Sequence, residues 1–125
     1  MFLQLAHTKL LVFQFSEILA VECYKITKQF PGDEKFNMVQ QIRRAALSVH
    51  LNIAEGCSRK SKSERRRYFE IARGSVIEID TAIGIACNLS YVTLESLQPL
   101  GNSIIKTFKL LTGMIGIAIS LSSCA

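Results

Sequence analysis

The sequence predicts an all-α protein: an up-down-up-down antiparallel four-helix bundle with left-handed packing. Three observations predict it. Apolar side chains recur at alternating spacings of four and three along four stretches, a mean period of 3.5 that suits knobs-into-holes contact between long helices. Short segments carrying helix stop and start residues separate those stretches. No stretch shows the period-two alternation of a half-buried strand.

The first helix is expected over about residues 10–30. Phe15, Ile18, Leu19, Cys23, Ile26 and Phe30 line one face, and Pro31-Gly32 ends it because the proline ring fixes φ and removes a donor. Asp33 offers a carboxylate to the free amides of a second helix over 34–56. There Ile42, Ala46, Val49 and Ile53 form the stripe, and Gly56 supplies a left-handed terminal residue. Ser61-Lys62-Ser63-Glu64 reads as a capping box, serine and glutamate each bonding the other's backbone amide. It opens a third helix over 62–90, with Phe69, Ala72, Val76, Ile79, Ile83, Ala86 and Ser90 on its stripe. Thr93 caps a fourth over 94–121, whose seam runs Leu97, Gly101, Ile104, Phe108, Leu111, Ile115 and Ala118, with Pro99 early enough to be tolerated. This helix also carries Ile105, Leu110, Met114, Ile117 and Ile119 off the seam. A helix apolar on more than one face calls for a second partner, so self-association is expected.

A chain of 125 residues suits one domain over 1–125, burying about two-thirds of the surface that the open chain exposes. With 49% hydrophobic and 20% charged residues it is neither disordered nor fibrous. Fifteen basic residues against ten acidic give +5, and six of the basic residues stand against one acidic between Arg59 and Arg67. The excess therefore sits in one segment, which suits a polyanion or an acidic protein face. Cysteines at 23, 57, 87 and 124 show no Cys-x-x-Cys spacing and no nearby histidine, which argues against a zinc site or a redox motif. The opening MFLQLAHTKLLVF lacks a charged leader region and a small-residue cleavage site, so a reducing, cytoplasmic compartment is expected. The longest apolar tract, near 110–121, is about twelve residues, short of the roughly 20 that a membrane span needs.

Catalytic candidates are poor. His7 falls in an N-terminus expected to fray, and His50 lies next to core-facing Val49 with no partner at helical spacing, so it reads as a packed or surface residue. Glu78 and Asp80 are two apart and splay to different faces, leaving Glu78 as an inward partner for an arginine. No phosphate-binding glycine loop occurs, and no cofactor or metal is expected. The chain therefore reads as a non-enzyme.

The segment Arg59, Lys60, Lys62, Arg65, Arg66 and Arg67 is the sharpest feature. Cations at a helix start oppose the macrodipole at roughly 0.3–1 kcal/mol each, so stability alone does not place them there. Phosphates would gain both from these side chains and from the free amides of the third helix, making the junction a candidate nucleic-acid contact. The plainer alternative is a solvated basic face that pairs with acidic residues of a neighbour. Tyr68 could offer a stacking face, whereas Phe69 lies on the core stripe. Arg43 and Arg44 point about 100° apart, so one reaches solvent while the other pairs inward near Glu55 or Glu78. Asn52, beside Ile53, reads as a structural hydrogen-bonding residue.

Three runs are distinctive in combination: Gln41-Ile42-Arg43-Arg44-Ala45-Ala46, Asn52-Ile53-Ala54-Glu55-Gly56, and Ile71-Ala72-Arg73-Gly74-Ser75 followed by Glu78. With Phe30-Pro31 upstream they closely resemble the four-helix bundle proteins encoded by intervening sequences in bacterial 23S ribosomal RNA genes, over about residues 10–115. The resemblance implies an all-helical, ring-shaped homopentamer with no established enzymatic activity. The related accessory variability determinant proteins of diversity-generating retroelements look like the same fold and bind nucleic acid and a reverse transcriptase through basic surface. Carried onto this chain, the matching basic positions are Arg43, Arg44, Arg59, Arg65, Arg66 and Arg67, with Asn52, Glu55, Gly56 and Glu78 as structural motif residues. The uncharged end from Gly113 departs from the family's charged C-terminus and leaves association through it open. The expected function is binding of RNA or DNA through the basic surface by a homo-oligomer; the alternative is a scaffold whose basic face docks an acidic protein.

Overall fold

The computed structural model describes residues 1–123, with side chains through Gly116. Four α-helices occur among them: α1 (Leu11–Thr27), α2 (Met38–Ser58), α3 (Lys62–Asn88) and α4 (Gln98–Ser123). Short 3-10 turns at Ala6–Lys9 and Gly32–Glu34 precede α1 and α2, and the described residues contain no strand. Each helix packs on its chain neighbours, and α4 closes back on α1. Touching positions rise on one helix as they fall on the next. Gln41 meets Glu78, Ser48 meets Ser75 and Gly56 abuts Phe69. On the other side of α2, His50 meets Ser16 and Arg43 meets Thr27. Between α3 and α4, Arg73 meets Thr112 near one end while Asn88 and Gln98 line one groove at the other. Neighbouring helices are therefore antiparallel.

The helix ends differ from expectation for local reasons. α1 stops at Thr27, not Phe30, because successive amides from Lys28 to Phe30 bond three residues back and tighten the last turn. Phe30 stays buried, its ring 5.5 Å from that of Tyr91. Asp33 does not cap α2: it sits in the 3-10 turn, and α2 starts at Met38, after Asn37, whose side-chain amide donates to Glu34 instead. Gly56 does not end α2 in a left-handed conformation, and no described glycine has positive φ. A Cβ there would lie 2.7 Å from Cε1 of Phe69, so the glycine permits close approach of α2 and α3. Ser61 caps α3 by accepting from the Glu64 amide at 3.1 Å, and only this half of the box is made. Ser90 leaves the stripe altogether, at φ 62° in the link after α3. Thr93 and Ser96 bond reciprocally at 3.1 Å, but regular α4 begins only at Gln98 because Pro99 has no amide to bond Glu95.

The stripes of α2 and α3 are buried as expected, apart from Ser90. Those of α1 and α4 are rotated. On α1 the core takes Val12, Ser16 and Ala20, while Ile18 is exposed and Phe15 half-buried. On α4 it takes Leu100, Ser103 and Thr107, while Phe108 faces partly outward. Two of these small hydroxyls are accepted by a carbonyl of their own helix, Ser16 by Phe13 and Ser103 by Leu100, which offsets their burial. Met114 packs against the core rather than outward. Ile105 is exposed as expected. The side chains of Ile117, Ala118, Ile119 and Leu121 lie outside the described residues.

Candidate nucleic-acid interface

The basic segment forms the sharp connection between α2 and α3. Arg59 is extended, its amide bonding Gly56, and Ser61 restarts the helix two residues later. Three of the six cations are engaged within the chain, two of them in the connection itself. Arg59 donates from Nη2 to Glu55 Oε2 at 3.0 Å and to the Tyr68 hydroxyl at 3.1 Å, and its guanidinium lies 5.0 Å over the Tyr68 ring. Arg65 donates to the carbonyls of Arg59 and Lys60, both at 3.0 Å, so it clasps the loop. Arg66 pairs with Glu70 at 3.0 Å, one turn along α3.

Lys60, Lys62 and Arg67 are exposed, and their side chains make no hydrogen bond or ion pair among the described residues. They flank the start of α3, where the free amides and the helix dipole favour an anion. Tyr68 is less available than expected, since Arg59 occupies one ring face and its hydroxyl.

The remaining candidates are dispersed. Arg44 faces solvent and Arg43 packs inward, but not onto Glu55 or Glu78. Arg43 Nε donates to Thr27 Oγ1 at 2.9 Å and Nη2 to the Tyr24 carbonyl at 3.3 Å, and its guanidinium lies 4.9 Å from the Tyr24 ring centre. A guanidinium there complements the C-terminal dipole of α1. Glu78 is exposed and accepts from Gln41 rather than from an arginine. Asn52 donates to the Ser48 carbonyl at 2.8 Å, one turn back on α2.

His7 is not frayed. It packs edge-on against Phe13, whose other neighbour is the His50 ring at 4.2 Å. His50 Nδ1 lies 2.6 Å from Ser16 Oγ, and burial lowers its pKa, with Glu17 opposing. Ser16 is fully enclosed, so the pair latches α1 to α2 instead of presenting a nucleophile. Burial likewise pushes the Cys23 thiol up to about 12, leaving it inert. Among the described residues no group of three His, Cys, Asp or Glu converges on a metal-sized site.

The order of the helices, the QIRRAA and NIAEG runs on α2 and IARGS on α3 all meet in one bundle whose connection is basic. The family model of the 23S rRNA-intervening sequence protein matches residues 8–113. The chain belongs to that family. As a member of the 23S rRNA-intervening sequence protein family it is similar to a solved protein of unknown function from the S23 ribosomal protein family of Bacteroides thetaiotaomicron VPI-5482. The two superpose with a TM-score of 0.75 at 25% identity, over 84% of this chain and 98% of the other. No curated protein matches the sequence. No helix among the described residues is long and apolar enough to cross a membrane.

Sequence reasoning missed the division of labour among the cations, because carbonyl acceptors do not show in side-chain patterns. It also missed Ile77 and Val21, apolar and exposed on α3 and α1. Their signal was present: both are β-branched or aliphatic residues lying off a helix's core stripe.

Proposed function

We propose that this protein is a non-enzymatic, cytoplasmic, nucleic-acid-binding bundle that works as a homo-oligomer, a homopentamer by the family resemblance. RNA or DNA meets the α2–α3 connection, with Lys60, Lys62 and Arg67 contacting phosphates. One observation carries the reading: these three exposed cations have no partner in the described chain, while Arg59 and Arg65 hold rigid the loop that presents them. A rigid set of unpaired cations at a helix start favours a polyanion of any sequence. Several linked copies gain avidity wherever one polyanion spans them.

The test is the salt dependence of binding to a labelled structured RNA. Affinity is expected to fall steeply with salt and to vary little with sequence. Changing Lys60, Lys62 and Arg67 together to Gln should reduce the slope of log affinity against log salt by about 2–3 per engaged connection, with helical content unchanged. Arg65→Gln should instead loosen the connection itself. No binding at low salt, or binding that ignores salt, overturns the reading. Capture of an acidic protein that RNA does not displace would favour the scaffold alternative.

A further inference from the structure

We propose that copies of this chain assemble side by side in one direction, the α3–α4 face of one bundle seating on the α1–α2 face of the next. This rests on the self-association reading above and assigns its surfaces. On the first face, Ile77 (51% exposed), Ile105 (54%) and Phe108 (37%) line a groove that also holds Asp80 and Lys109. On the opposite face, Val21 on α1 and Leu47 and Leu51 on α2 are exposed. Contact between two copies through either face alone leaves the other apolar set in water. A head-to-tail contact covers both sets on every subunit.

The charges fix the direction. Arg43 meets Thr27 and Gln41 meets Glu78, so Lys28 stands within one turn of the height of Asp80, about 4.5 Å, on the opposite face. His50 meets Ser16 and Ser48 meets Ser75, so Glu17 and Arg73 lie at a second common height. Glu17 is on the α2 side of α1, acting on His50, and Lys28 falls on the same side of the helix three turns on. Arg73 reaches Thr112 on α4 and Asp80 lines the groove, so both belong to the α3–α4 face. Parallel bundles therefore bring Lys28 to Asp80 and Glu17 to Arg73, with Val21 between them at the height of Ile77 and Phe108. Reversing one bundle sets cation against cation and carboxylate against carboxylate.

Mass measurement of face variants tests this. The unaltered chain should give a closed oligomer at micromolar concentration; a monomer overturns self-association itself. Ile105→Glu and Val21→Glu each spoil one face and should each give monomers. Mixed one to one they should form a dimer and nothing larger, because each supplies the face that the other lacks. An oligomer mass unmoved by both variants overturns only this choice of faces. Dimerisation of Val21→Glu on its own would show that α3–α4 pairs with itself and would also overturn the proposal. If either variant fails to fold, charge exchange decides: Asp80→Lys should weaken assembly at least tenfold and Lys28→Asp added to it should restore it. A double variant no better than the single overturns the register.

Discussion

Helices α2 and α4 each close two seams of the same bundle, and they do so by different means. α2 is tied on both sides by directed polar contacts: Arg43 to Thr27 at 2.9 Å, His50 to Ser16 at 2.6 Å, Ser75 to Ser48 at 2.9 Å, and Gln41 to Glu78. Among the described residues α4 meets α3 with a single long polar contact, Arg73 to Thr112 at 3.4 Å, and otherwise with apolar side chains. Directed bonds admit one register, while apolar contacts tolerate several of similar energy. The difference teaches where rigidity is placed. The basic connection hangs from the tied helix, and the grooved apolar face belongs to the untied one.

The largest effect that should separate the two helices comes from their glycines. Gly56 on α2 has Phe69 atoms 2.7 and 3.0 Å from where a Cβ would stand, and Tyr68 Cβ at 3.0 Å. Gly56→Val should cost about 3 kcal/mol, because overpacking forces α2 and α3 apart. Gly101 on α4 has nothing within 4 Å. Gly101→Ala should stabilise by about 1 kcal/mol, since only the backbone entropy of glycine is removed. Urea midpoints at one protein concentration would compare them, and equal losses at both positions would break the distinction.

Two buried threonines sharpen it at intermediate size. Thr27 Oγ1 donates to the Cys23 carbonyl at 2.7 Å and accepts from Arg43, whereas Thr107 Oγ1 on α4 is buried with no partner among the described residues. Thr27→Val should cost about 1–3 kcal/mol, because it strands the Arg43 donor as well as losing the hydroxyl. Thr107→Val should instead stabilise by about 1 kcal/mol, since the hydroxyl is desolvated without return. Opposite signs for one substitution are the result to look for in thermal unfolding.

These contrasts explain what was legible in the sequence. The stripes of α2 and α3 are made of Ile, Val, Ala and Phe, so polarity and position agree, and their burial could be read directly. On α4 they conflict. Phe108 is more apolar than Thr107, yet the row through Leu100, Ile104 and Leu111 puts position 107 inside. Gly56 and Gly101 look alike in the sequence, and only the Phe69 ring across the seam separates them. The same holds for the basic segment: six cations were visible, but which of them bind loop carbonyls depends on where the chain turns after Ser58. The sequence leads one to expect a carboxylate partner for whichever of Arg43 and Arg44 turns inward, because side-chain charges are visible in a sequence and the exposed carbonyl end of α1 is not.

The smallest effect belongs to the link that joins α3 to the untied helix. The Tyr91 amide bonds the Ala86 carbonyl at 2.9 Å and the Ser90 amide bonds Cys87 at 3.0 Å, a Schellman closure that puts Ser90 at φ 62°. A residue with a Cβ pays roughly 1 kcal/mol for that conformation, and glycine does not. Ser90→Gly should recover most of this, less the greater freedom it gives the unfolded chain, for a net gain of about 0.5 kcal/mol and a Tm rise of about 2 °C. Ser90→Ala keeps the Cβ and should leave Tm nearly unchanged. If alanine stabilised as much as glycine, backbone strain at this link would not be the cause. The contrast between the two helices would then end at their seams.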